Sequence, residues 1–169
     1  GAGAGEIVTI SRAVAVMGFD AIGRLAVGAR LVDTLLRSHD SLALREDCLR
    51  ALLSALLADQ LADGCGDSED AYLAGLFRNL GRMLASLHAP ALRQCARAAV
   101  AADLWPRGDA EDRAAQREIG RSFAEAGQQL ARQWGWPALL GQCMSREAAA
   151  SGRFGTLHLA ALADDLADL

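Results

Sequence analysis

The chain has 169 residues, a formal net charge of −4 and 5% aromatic residues; that suffices for one domain with a proper core and is short for two. The negative balance argues against a general nucleic-acid role, because phosphate recognition needs a basic face. Cys48, Cys65, Cys95 and Cys143 are widely spaced, with no Cys-x-x-Cys pair; this argues against zinc and for reduced cytosolic thiols filling core space.

All seventeen basic residues are arginine, which reads as codon usage in a GC-rich genome rather than selection for phosphate forks. No apolar run reaches about 18 residues, so no transmembrane span is expected. The start lacks the basic n-region of a secretory leader. Gly1–Gly5 reads as linker, outside the fold. The expected organisation is one helical domain over residues 6–169.

In chain order, a short helix is expected over about Ser11–Met17, stopping at Gly18. Asp20 is a good N-cap for a second helix, whose Ile22, Leu25, Ala29, Val32 and Leu36 follow the 3.6-residue period to Ser38. A third runs from about Leu44 to Ala62. Between Leu49 and Ala58 its only polar side chains are Arg50 and Ser54, which predicts the central, most enclosed helix. After the Asp63–Ser68 loop, with an N-cap at Asp67 or Ser68, a helix carries Leu73, Leu76, Phe77, Leu80 and Leu84 as its inward stripe. Pro90 opens a short helix to about Ala102. The turn Leu104–Asp109 leads into one long helix to about Trp134, where Gly135 suits C′ and Pro137 suits N1 of the next. Two last helices are expected over about Pro137–Ala150 and Thr156–Asp168. The fold class is all-α, a compact bundle of about seven or eight helices.

The stretch Tyr72-Leu-Ala-Gly-Leu-Phe-Arg-Asn-Leu-Gly-Arg-Met-Leu84 resembles the signature helix of the HD metal-phosphohydrolase superfamily. The frame Gly75, Leu76, Leu80, Gly81 and Arg82 is most similar to the HDOD (HD-related output domain) branch. Arg78 and Asn79 stand where the metal-binding His-Asp pair would be. Three further segments resemble the same family in the same order: Glu6–Asp20, Gly127–Pro137 with Trp134-Gly-x-Pro137, and Leu157–Ala167. A helical segment that usually precedes the Ile7 equivalent in the family has no counterpart. The resemblance implies an HD-like bundle whose other metal-ligand positions fall at about Arg50, Phe123 and Glu147, with an acid kept only at Asp164. His39, His88 and His158 match none of them. A guanidinium has no lone pair for a metal and stays protonated, and a neutral amide is a poor substitute for a carboxylate beside a hard ion. No metal, cofactor or catalytic residue is therefore expected, and hydrolysis, which needs a metal-activated water, is expected to be lost.

Two readings of the former metal site stand side by side. In one, Arg50, Arg78 and Asn79, with Ser54 one turn from Arg50, line an anion pocket. In the other, Arg78 and Arg82 are solvated, while Arg50 pairs with Asp164 or another acid and closes the site. The second is preferred. Arg82, Trp105 and Trp136 are candidate partner contacts, with core packing the default for both Trp134 and Trp136. His88 reads as a helix-end charge partner, and the Asp67–Asp70 acids as a response to the helix dipole. The resemblance implies a non-catalytic module of bacterial cytoplasmic signalling that binds a protein partner, without nucleic acid or membrane. A nucleotide or phosphate sensor is the runner-up, and a homo-oligomerisation bundle a third reading.

Overall fold

The computed structural model describes residues 42–63, 68–100, 107–145 and 155–169, together with the helical positions Ala26, Asp33 and Arg37. The first short helix, most of the second, Cys65, Trp105 and Glu147 lie outside the described residues. Eight helices are described: α1 (Leu42–Ala62), α2 (Ser68–Phe77), α3 (Leu80–His88), α4 (Pro90–Ala98), α5 (Arg107–Ile119), α6 (Phe123–Gln133), α7 (Ala138–Cys143) and α8 (Thr156–Ala167). The described residues contain no strand, so the expected all-α class holds. None of their helices is long and apolar enough to cross a membrane.

The helix α1 packs most extensively on α2 and α8, and α3 packs on α6. The main core gathers Leu44, Tyr72, Leu76, Met83 and Met144, all 1% exposed or less. Each such buried side chain contributes roughly 1.5–3 kcal/mol against leaving it in water. A second cluster joins Ala58, Ala62, Ala71, Leu159 and Ala163, and a third joins Ala96, Ala114, Ala115 and Phe123.

The helix α1, expected to be the most enclosed, packs most extensively yet leaves one face in water. Its buried face is built of small residues, Ala51, Ala55, Ala58 and Ala62, whereas Leu49 is 66% and Leu53 47% exposed. Small side chains let α2 come close. A Cβ on Gly75 would meet the Ser54 carbonyl oxygen at 2.9 Å and the Ala55 Cα at 3.0 Å. Hydropathy alone does not distinguish a leucine face from an alanine face, but backbone approach does.

The signature stretch is one helical path with a kink. It breaks into α2 and α3 at Arg78–Asn79, yet Arg78 N still donates to Ala74 O at 3.0 Å and Met83 N to Asn79 O at 3.1 Å. The long helix expected over Asp109–Trp134 is two helices. Gly120 adopts φ +69°, a left-handed geometry that glycine tolerates. Ser122 then caps α6: its side chain accepts from Glu125 N, and the Glu125 side chain accepts from Ser122 N. Gly135, at φ +66°, takes the C′ place expected for it. The helices α4 and α7 end earlier than expected, at Ala98 and Cys143.

Candidate functional site: a buried ionic chain at the helix kink

The kink places Arg78 and Asn79 opposite Asp164 of α8. All three are buried, at 4%, 6% and 2% exposure. Arg78 Nε donates to Asp164 Oδ2 at 3.3 Å, and its Nη1 donates to the Cys143 carbonyl at 2.7 Å. That carbonyl ends α7, where no intrahelical donor remains to satisfy it. Asn79 Nδ2 donates to Asp164 Oδ1, while Asn79 Oδ1 accepts from Arg82 Nε at 3.1 Å. Arg82 Nη2 also approaches Asp164 Oδ1, at 3.7 Å. One carboxylate thus receives both arginines of the i, i+4 pair, relieving a repulsion worth roughly 0.2–0.5 kcal/mol in an isolated helix.

The chain of charges continues through the molecule. Arg82 Nη1 lies 3.4 Å from Glu111 Oε2 on α5, and Arg93 Nη1 of α4 lies 2.7 Å from the same oxygen. Arg93 Nη2 reaches Asp47 Oδ1 of α1 at 3.0 Å, and Asp47 Oδ2 accepts from Ser86 Oγ. The Arg93 guanidinium also sits 5.7 Å above the Phe123 ring. Three buried arginines, Arg78, Arg82 and Arg93, therefore alternate with three buried carboxylates, Asp164, Glu111 and Asp47. Arg97 adds a half-buried end, bonded to Glu46 at 2.7 Å, and this bond holds its guanidinium further into the charged range.

Placement corrects the sequence reading at several points. Arg78 and Arg82 are not solvated, and Arg82, 4% exposed, offers no surface to a partner. The reason is chemical: a helix can turn a guanidinium inward where a carboxylate waits for it. Arg50 stands apart from this group. It pairs with Asp168, which also accepts from Gly108 N at 3.2 Å at the start of α5. Phe123 is a core residue, 3% exposed, and Ser54 is fully buried in α1. Trp136 packs edge-on against Phe77 at 5.0 Å, while Trp134, expected in the core, is 55% exposed.

Glu111, Arg93 and Asp47 were not singled out in the sequence, although each carried a signal. Asp47 lies on the stripe of Leu44, Ala51 and Ser54, and Glu111 on that of Gly108, Ala114 and Ala115, all buried. A charge on an inward stripe demands a buried partner.

These residues do not fit a metal ion. Both Asp164 oxygens are engaged by cationic or amide donors, and two guanidinium groups beside them would repel a divalent cation. Among the described residues, no group of three or more His, Cys, Asp or Glu side chains could hold one. An anion fares no better there, since each buried arginine already faces a buried carboxylate.

A helical fold with a kinked helix, and with an ion-paired triad at the kink, is an all-α domain. A family model described as HDOD domain matches residues 2–150. The chain belongs to the HDOD domain family. No curated protein matches it. In fold it is similar to the crystal structure of "Putative phosphohydrolase" from Shewanella amazonensis SB2B, with a TM-score of 0.71 and 23% identity over 96% of this chain. The match spans 60% of the length of that structure.

Proposed function

We propose that this chain is a non-catalytic HDOD-type regulatory domain that acts by binding a protein partner in bacterial signal transduction. The observation that carries the reading is the engagement of Asp164, the one acid kept at the former metal site, by Arg78, Asn79 and Arg82. A water cannot be activated where no metal can be seated, so the fold is left with its surfaces as the means of action. Interaction by shape and a few exposed anchors follows from that.

A nucleotide or phosphate sensor is disfavoured by the pairing of each buried arginine. Thermal unfolding against a panel of mono-, di- and cyclic nucleotides separates the two readings. A ligand at a hundred times its dissociation constant adds about 2.7 kcal/mol. No shift is expected with any of them; a saturable shift abolished by Arg78→Gln would establish the sensor instead. Crosslinking of the protein in its own cells is expected to recover a stoichiometric protein partner, and recovery of nothing but free protein would contradict the interaction reading.

A further inference from the structure

The helix α1 buries alanines and leaves leucines in water. Leu42, Leu49, Leu53 and Leu56 are 73%, 66%, 47% and 42% exposed. Their spacings of seven, four and three residues set them on one stripe of the helix, opposite the buried Ala51, Ala55 and Ala58. The four together leave in water more than the surface of two whole leucine residues. An apolar stripe of that extent marks a contact surface rather than scattered exposure.

The pattern is complementary to itself. Along one edge of the stripe Arg45 stands near the start of α1, and Asp59 and Asp63 stand near its end. The charges of the other edge, Glu46 and Arg50, are bonded within the chain to Arg97 and Asp168. Two copies of α1 laid in the same direction would set Arg45 against Arg45 and acid against acid. Reversed about a two-fold axis near Leu52, they set Arg45 of one copy opposite Asp59 of the other, because both lie seven residues from Leu52. Leu49 and Leu53 then interleave across the axis. Flanking charges of this kind fix partner and orientation in paired helices, and a patch that meets its own copy closes a dimer. Covering the leucines of both copies, with Arg45, Gln60 and Asp63 at the rim, hides roughly 1,000 Å², the size that a specific interface must clear. We propose that the chain pairs with a second copy of itself through α1, antiparallel, with leucines in the seam and an Arg45–Asp59 bridge at each end. The proposal stands apart from the interaction reading above, because it needs no other protein.

The test is the mass of the full chain in solution, by light scattering and sedimentation from about 1 to 100 µM. A dimer is expected within that range. Leu49→Glu and, separately, Leu53→Glu are expected to weaken pairing about tenfold or more. Circular dichroism should stay that of the folded helical chain, since both side chains are exposed. Arg45→Asp alone and Asp59→Arg alone should each weaken the dimer, and the two together should restore it. Trp134→Glu, at the end of α6, is the control and is expected to change nothing. A monomer at every concentration would overturn the proposal. So would a dimer that Trp134→Glu dissolves and Leu49→Glu leaves intact, and so would a double charge exchange that fails to restore pairing. Crosslinking decides the interaction reading separately, through a partner of different sequence.

Discussion

Asp164 and Asp33 both make ion pairs with arginine, and burial separates their consequences. Asp33–Arg37 is an exposed i, i+4 pair, with side chains 44% and 79% accessible, of a kind worth roughly 0.3–0.5 kcal/mol. Asp164 and Arg78 are each 3% accessible. Truncating one partner of a buried pair strands the other charge and costs about 3–5 kcal/mol. Urea unfolding should therefore show Asp164→Ala losing most of such a sum and Arg37→Ala almost nothing; equal effects would mean that the ionic chain is wet. The thiols give a second residue-scale expectation. Burial pushes Cys143 up to about 12, and burial followed by the nearby Asp47 charge pushes Cys48 up to about 11, from an ordinary 9.0. Between about pH 9 and 12 the unfolded chain has lost thiol protons that the folded chain keeps, so stability falls as pH rises. Cys143→Ala should flatten that fall in the urea midpoint, whereas an unchanged slope would show that the thiol does not contribute. In native protein the exposed Cys95 should alkylate well before either buried thiol.

At the scale of elements, the frame glycines of the signature stretch have a packing role independent of chemistry. A Cβ on Gly81 would overlap the Phe123 carbonyl, and Gly127 faces it, with its own Cβ position 3.1 Å from Gly81 N. The helices α3 and α6 cross backbone to backbone at this pair. Gly81→Ala gains up to about 1 kcal/mol of helix propensity but must force the crossing apart, a strain of roughly 1–3 kcal/mol or more. A net loss of stability is expected by thermal unfolding, and stabilisation would contradict the crossing. Much at this scale was legible in the sequence: the frame of Gly75 and Gly81, the start of α4 at Pro90, the turn at Gly135, and the closing helix. Other features were not. The break at Gly120–Ser122 was missed between two alanine-rich helical stretches, although Gly120 signals a helix end and Ser122 and Glu125 spell a capping box. Core packing was the default for both indoles, and only Trp136 meets Phe77 while Trp134 is exposed, because the turn at Gly135 rather than hydrophobicity decides between them. The exposed leucines of α1 were not legible for a similar reason, since backbone proximity to Gly75 selected alanines over leucines for its buried face.

For the whole molecule, the family and the all-α class were readable from ordered motifs, while the ionic chain was not. Its members come from α1, α3, α4, α5 and α8 and from the kink between α2 and α3, so the sequence separates by tens of positions what the fold brings together. Arg78 and Asn79 were singled out by their place in the signature stretch; only the tertiary structure supplied Glu111, Arg93 and Asp47 as the continuation. What results is a scaffold in which buried arginines and carboxylates pair with one another across five helices and the kink. Its central claim is tested most directly by elemental analysis of the chain after incubation with manganese and iron, paired with an assay of phosphodiester hydrolysis on the same sample. Neither stoichiometric metal nor turnover is expected; bound metal together with hydrolysis that Asp164→Ala abolishes would contradict the account.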